Sequence, residues 1–253
     1  MPKIALITGA TSGIGEACAR LFASYQYNLV ITGRRTDRLQ RLASELVREN
    51  GVKVQILTMD VREKAEVQSQ LNGLDEQWKA VDVLINNAGL SQGLDPIQDG
   101  NTDDWDTMID TNIKGLLYVT RVVSNWMIAR KDGHIVNLGS IAGKEVYQNG
   151  NVYCATKHAV DALNKAMRID LLPHGIRVSA IHPGAVETEF SDVRFKGDTD
   201  RAKKVYEGYT PLTGQDIAET IWFMVSRPKH VNINDVLIMP VAQANSVYWN
   251  KEK

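Results

Sequence analysis

Seven short apolar runs punctuate the chain, at residues 3–8, 28–32, 53–57, 81–86, 133–138, 177–182 and 236–239. They are rich in β-branched residues, which predicts strands. Between them apolar residues return every three or four positions, as in Leu39, Leu42 and Leu46, or Ala159, Ala162, Leu163 and Ala166. That period predicts helices with one buried face. Strand and helix therefore alternate, and parallel neighbours need such crossovers, with the helices covering both faces of the sheet. Runs such as Ile4-Ala5-Leu6-Ile7 and Val81-Asp82-Val83-Leu84-Ile85 suit strands buried on both sides. The expected architecture is α/β: a doubly wound, seven-stranded parallel sheet in one domain spanning residues 1–253. The least periodic stretch, residues 187–213, is polar and charged, and is expected to form a mobile substrate lid.

Composition narrows the classes of partner. With 253 residues, 43% of them hydrophobic, the chain can bury a sizeable core. Its net charge of -1 carries no long block of like charge, which argues against nucleic acid and anionic membrane surfaces. Small molecules and copies of itself remain. No apolar run approaches the roughly 20 residues that span a bilayer, and the first strand begins too early for a signal peptide, so a cytoplasmic protein is expected. Cys18 and Cys154 stand in no Cys-x-x-Cys or Cys/His spacing, and read as plain buried thiols. No metal-ligand cluster is visible.

Candidate chemistry starts at Thr8-Gly9-Ala10-Thr11-Ser12-Gly13-Ile14-Gly15, directly after the first strand and before a helical pattern. Glycines are needed there because a Cβ would block the tight turn and the approach of the backbone to a pyrophosphate resting on helix N-terminal amides. NAD-preferring sites usually carry an acidic residue about 20 positions further on. Here Gly33-Arg34-Arg35 stands instead. A guanidinium can bond a 2′-phosphate that a carboxylate would repel, so NADP(H) is the expected cofactor, with Arg34 and Arg35 as its cations. The alternative makes both arginines solvated helix-entry residues. Asp60-Val61 follows the third strand; Asp60 can accept from the adenine amino group or serve as a helix N-cap.

Tyr153 and Lys157 lie four residues apart in a helical segment, so they share a face with about 6 Å of axial offset. A phenol of pKa about 10 is a poor base at neutral pH, and a neighbouring ammonium or oxidised nicotinamide favours phenolate. Tyr153 can then take or give the hydroxyl proton as hydride moves. Ser140 ends the fifth strand, at the sheet edge where ligands gather.

These motifs, in order, resemble the classical short-chain dehydrogenase/reductase family over essentially the whole chain: T-G-x-x-x-G-x-G at Thr8–Gly15, N-N-A-G at Asn86-Asn87-Ala88-Gly89, the helix asparagine Asn112, Ser140, Y-x-x-x-K at Tyr153–Lys157, and Pro183-Gly184. The resemblance implies a single-domain Rossmann fold. It also implies that Ser140 holds the substrate oxygen, that Lys157 holds the nicotinamide ribose, and that Asn112 distorts its helix and holds a relay water. Val186 and Thr188 would contact the nicotinamide side of the cofactor. Glu187 departs from the usual small or apolar residue, with no physical account. The asparagine-rich turn also has a purely structural reading, as a turn that stabilises the sheet.

Residues 188–198, 231–234 and 239–241 are similar to the branch of that family acting on 3-hydroxy acids: serine, L-allo-threonine, and 3-hydroxypropionate or malonic semialdehyde. A small hydroxy acid needs a directional anchor for its carboxylate. Arg194 is the first candidate and Lys196 the second, against a plainly solvated loop. A general carbonyl reductase or a 3-ketoacyl reductase of the same family is the alternative. A redox-sensing NADP-binding module would have lost the tyrosine or the lysine. The resemblance implies a homotetramer, to which Trp105, Tyr118 and Trp126 would contribute, and the aromatic tail 241–249 would dock on a neighbouring subunit.

Overall fold

The computed structural model describes residues 2–252. Every expected run is a strand, with ends shifted by one or two residues: β1 Ile4–Ile7, β2 Asn28–Gly33, β3 Val54–Thr58, β4 Val83–Asn86, β5 His134–Leu138, β6 Arg177–Pro183 and β7 Asp235–Ile238. They form one sheet in the order β3-β2-β1-β4-β5-β6-β7. Each neighbouring pair runs parallel. The chain winds outward from β1 to β3, then returns past β1 to β4 and winds the other way. That reversal opens a crevice beyond the carboxyl ends of β1 and β4.

Successive side chains of a strand point to opposite faces, and β1 divides accordingly. Ala5 and Ile7 join a core built with α1 (Gly13–Ser24), α2 (Thr36–Asn50) and α9 (Gly214–Val225). Ile4 and Leu6 join a second core with α3 (Lys64–Asn72), α5 (Leu116–Arg130) and the end of α6 (Asn151–Leu171). Edge strand β7 is only half covered, with Leu237 exposed. Cys18 and Cys154 are free and buried, as expected. Among the described residues, no helix is long and apolar enough to cross a membrane.

The apolar spacing over residues 105–123 alone predicts one helix, while the family resemblance implies a local distortion at Asn112, and the backbone does divide there. α4 (Thr102–Ile109) passes through a π-helical turn, Asp110–Gly115, into α5. Two residues account for the extra width. The Asn112 amide is drawn out of the helix into bonds described below. Gly115 lies so close to the turn after β3 that a Cβ would sit 2.7 Å from Val61 Cγ2.

Residues 187–213, the least periodic stretch, are not irregular throughout. They hold α7 (Phe190–Arg194) and α8 (Thr199–Lys204), and the segment is closed at its base by Glu187 N–H donating to Leu212 O at 2.8 Å. The aromatic tail folds onto this segment of its own chain: Trp249 lies against Tyr209 at 4.9 Å between ring centroids, and Glu252 N–H donates to Gly208 O. Within the chain, Trp126 and Tyr118 pack against the second core and Trp105 beside the Tyr153 cluster, each partly buried.

Phe22 of α1 is fully buried, edge-on to Tyr27 and to Trp222 of α9. Truncating such a side chain removes both its burial and its contacts. Phe22→Ala should lower the unfolding free energy by about 3 to 5 kcal/mol in urea titrations; a loss of under about 1 kcal/mol would mean that α1 and α9 repack around the gap.

Candidate active site

The crevice at the carboxyl edge is a cleft of about 330 Å³. Gly9, Thr11, Ser12, Gly13, Ile14, Arg34, Arg35, Asp60, Val61, Asn87, Ala88, Gly89, Pro183, Gly184, Val186 and Thr188 all line it, together with Ser140, Tyr153 and Lys157. Gly15, Asn112 and Arg194, also singled out from the sequence, do not form its wall. Gly15 works beneath the wall. A Cβ there would lie 2.3 Å from Gly9 O and 2.5 Å from the Asn87 amide nitrogen, so only glycine lets α1 start this close to the turn.

The glycine turn is shaped from behind by the turn after β4. Asn87 Nδ2 donates to the carbonyls of Thr8 (2.9 Å) and Gly9 (3.1 Å), while the backbone N–H groups of Asn87 and Ala88 both donate to Thr8 Oγ1 at 3.0 Å. Asn87 thus lines the cleft and braces the glycine turn. Gly9 and Gly13 have φ of +67 and +55, the left-handed region that favours glycine. A Cβ on Gly9 would stand 3.0 Å from Ala88 Cα. Glycine at position 9 thus lets the turn close against the β4 loop.

At the adenosine end, no acidic residue closes β2. Arg35 donates through Nε and Nη2 to Thr11 Oγ1 (3.2 and 2.8 Å) and through Nη2 to Ser12 Oγ at 3.0 Å. Its Nη1 bonds Glu189 at 2.8 Å, and Arg38 bonds the other oxygen of that carboxylate at 2.5 Å. Burial opposes ionisation of Glu189, but its bonds to Arg35 and Arg38 outweigh this and hold its carboxyl below the ordinary range. Arg34 is largely exposed, 3.9 Å from Asp60. Guanidinium groups beside hydroxyl and backbone donors fit a 2′-phosphate. Arg38 escaped the sequence reading although it follows Arg35 by three residues, nearly one helical turn. Asp60 is no N-cap: its side chain bonds Arg62, and α3 begins after Glu63 without a side-chain cap.

Lys157 is 6% exposed. Its ammonium donates to Leu138 O at 2.8 Å and stands 6.0 Å from the centroid of the Tyr153 ring. Ser140 follows β5 and caps the next turn by accepting from Ala142 N–H at 3.1 Å, and its hydroxyl is near enough to the Tyr153 phenol to favour its ionisation. Tyr153, Lys157 and Ser140 thus meet at one place on the cleft wall. The expected acidification of Tyr153 by Lys157 is not what the protein supplies. Burial dominates and pushes the phenol above its ordinary value, opposed by the Arg194 charge and the nearby Ser140 hydroxyl. Asn112 is buried behind this wall. Its Oδ1 accepts from Leu90 N–H (2.9 Å), and its Nδ2 donates to Leu90 O (2.8 Å) and Thr156 Oγ1 (3.0 Å), which ties the π-turn to the β4 loop and to α6.

Arg194 reaches back from α7 into a cage of rings. Its guanidinium carbon lies 5.1 Å from the Tyr153 ring centroid and 5.2 Å from that of Phe190, while it donates to Ser91 Oγ (3.1 Å) and Tyr147 OH (2.8 Å). Lys196 instead pairs with Asp104 at 2.8 Å. That bond ties the segment to α4. Behind Ser140, Asp161, His182 and Asp235 converge, but Lys144 and Lys165 each lie 2.7 Å from Asp161, and Arg168 lies 3.3 Å from Asp235. These cations neutralise the carboxylates, so the cluster is an ion-pair network.

Burial lowers the Lys157 pKa from 10.5 to about 8. Unfolding restores the ordinary value, so between these limits the unfolded chain binds more protons and stability from this group rises with pH. Raising the pH from 7 to 10 should therefore favour wild type over Lys157→Met by about 2 to 3 kcal/mol in urea unfolding. A stability difference that stays level across this range would show that Lys157 is not held under this penalty.

Residues 3–198 match the family model for short chain dehydrogenase. The chain is 48% identical over 242 residues to a Salmonella typhi protein named NADP-dependent 3-hydroxy acid dehydrogenase YdfG, covering 95% of this chain and 96% of that one. It is 45% identical to sulfoacetaldehyde reductase 2 of Chromohalobacter salexigens, covering 98% of each. A solved structure described as the closed form of serine dehydrogenase complexed with NADP+ superposes with a TM-score of 0.91 at 44% identity, covering 99% of both chains. A match of this extent, spanning the glycine turn, Ser140, Tyr153 and Lys157 of this chain, makes it a member of the short-chain dehydrogenase family.

Proposed function

We propose that this protein is an NADP-dependent oxidoreductase that interconverts a small 3-hydroxy acid and its carbonyl form, as its relatives named 3-hydroxy acid dehydrogenase and serine dehydrogenase do by name. The observation that carries the reading is the meeting of Ser140, Tyr153 and Lys157 on the wall of a cleft whose far end gathers Arg34, Arg35 and Arg38. When bound, NADP supplies the hydride acceptor or donor and, oxidised, a positive charge.

The chain's own groups handle the proton and the substrate. Tyr153 accepts the hydroxyl proton in oxidation and donates it to the carbonyl oxygen in reduction. A phenol raised by burial stays protonated at neutral pH, and becomes a competent base when a further cation offsets the burial. Ser140 donates a hydrogen bond to the same substrate oxygen and stabilises charge developing there. Lys157, fixed by Leu138 O, holds the nicotinamide ribose. Asn112 holds the backbone around it and offers a place for a relay water. Residues 187–213 act as the lid that brings Arg194 to the substrate carboxylate; the guanidinium keeps Nη1 for an anion while Nε and Nη2 hold Ser91 and Tyr147.

The protein works in the cytoplasm, where thiols such as Cys18 and Cys154 stay reduced. We read it as a homotetramer without nucleic-acid partners; Ile169 and Leu172 at the end of α6, each 72% exposed, suit an apolar contact between copies.

Two substitutions test the assignment. Tyr153→Phe should leave NADP+ affinity nearly intact by fluorescence titration while turnover falls at least about a hundredfold; retained turnover would discard the proton role. Arg194→Met should raise KM for L-serine and 3-hydroxypropionate about tenfold or more, the value of a hydrogen bond to a charged group, and change KM for a neutral ketone far less. An NADP-coupled panel that adds acetoacetyl thioesters, aromatic ketones and a short sulfonated aldehyde decides the class: preference for neutral ketones or thioesters would point to a general carbonyl or 3-ketoacyl reductase.

A further inference from the structure

The carboxylate that Glu189 presents to Arg35 and Arg38 spans from the first turn of the lid to the opposite bank of the cleft. Arg35 is divided there. One edge of its guanidinium serves Thr11 and Ser12 of the glycine turn, and Nη1 serves Glu189. A phosphate monoester is an anion that takes guanidinium donors in the same way, with greater charge than a carboxylate. The neighbours of Glu189 in sequence are both in contact with working parts of the cleft. Thr188 packs so near Gly13 that a Cβ there would lie 3.0 Å from its methyl group, and the Phe190 ring lies 5.6 Å from that of Tyr153. Movement of Glu189 is therefore carried within one residue to the glycine turn on one side and to the catalytic tyrosine on the other.

Resting on the proposal that Arg35 binds the cofactor 2′-phosphate, we infer that Glu189 competes with that phosphate for Arg35, so that the lid's first turn registers which dinucleotide is bound. Two anions on one guanidinium repel each other, and the phosphate, being the more highly charged, displaces the carboxylate toward Arg38. A dinucleotide with a bare 2′-hydroxyl offers no such competition and leaves the Glu189–Arg35 pair in place. Glu189 is then a specificity-determining residue. It weakens phosphate binding at equilibrium, and in return makes the position of Phe190 and Arg194 depend on the phosphate.

Glu189→Gln keeps the shape and removes the charge at a side chain that is 41% exposed, so folding is preserved. By isothermal titration it should bind NADP+ and adenosine 2′,5′-bisphosphate about threefold to tenfold more tightly than wild type, in keeping with two partly exposed ion pairs, while NAD+ affinity moves less than about twofold. Hydrogen exchange supplies a readout independent of affinity and turnover. In wild type, adenosine 2′,5′-bisphosphate but not 5′-AMP should raise exchange at residues 188–194, and in Glu189→Gln exchange there should be raised already and should not respond. Unchanged or weaker NADP+ binding by Glu189→Gln, or equal exchange with the two nucleotides in wild type, would overturn the inference. Arg35→Met separates the two levels. If it leaves NADP+ affinity unaltered, the phosphate assignment itself fails; if it weakens NADP+ while Glu189→Gln does not strengthen it, only the competition fails.

Discussion

Burying the Lys157 ammonium is the demand around which the site is organised. A charge removed from water is tolerated only with oxygen partners held at bonding distance. The carbonyl of Leu138 at the end of β5 meets that need, and so fixes α6 against the sheet edge. Much of the nearby sequence makes room for this approach. A Cβ on Gly143 would lie 2.5 Å from Lys157 O, and one on Gly89 would crowd Asn112 Oδ1 at 3.2 Å. With α6 so fixed, Tyr153 one turn earlier faces Ser140, and the proton chemistry inherits its geometry from a packing requirement.

The sheet was legible because burial on both faces leaves a continuous apolar run, a pattern that surface helices and half-exposed strands do not produce. The edge strand β7 is half exposed, and its short apolar run at 236–239 was still enough to mark it. The interruption of the helix at Asp110–Gly115 left no trace in apolar spacing. It comes from Asn112 bonding Leu90 and Thr156, residues 22 and 44 positions away. The order within residues 187–213 was equally hidden, because its supports are backbone bonds to the tail and a lysine paired across to Asp104.

The same limit applies at the adenosine corner. Local spacing revealed Arg34 and Arg35, since their place after a strand has a meaning of its own. It missed Arg38, whose significance appears only when a carboxylate 151 residues away in sequence lands on it. Tyr153 shows the converse. Its spacing from Lys157 was readable, but the balance of burial against charge was not, because the cation nearest its ring belongs to α7 rather than to its own helix. Residues that act through a partner on their own element can be read from a sequence, whereas those whose partner arrives from a distant loop need the fold.

The bracing of the glycine turn by Asn87 has a thermodynamic consequence. Because the protein's own donors and acceptors set the shape of that turn, little chain freedom is surrendered there when a dinucleotide docks. The entropy lost on docking is therefore small at this end of the cleft, and the phosphate cradle behaves as a surface whose shape is set before the ligand arrives.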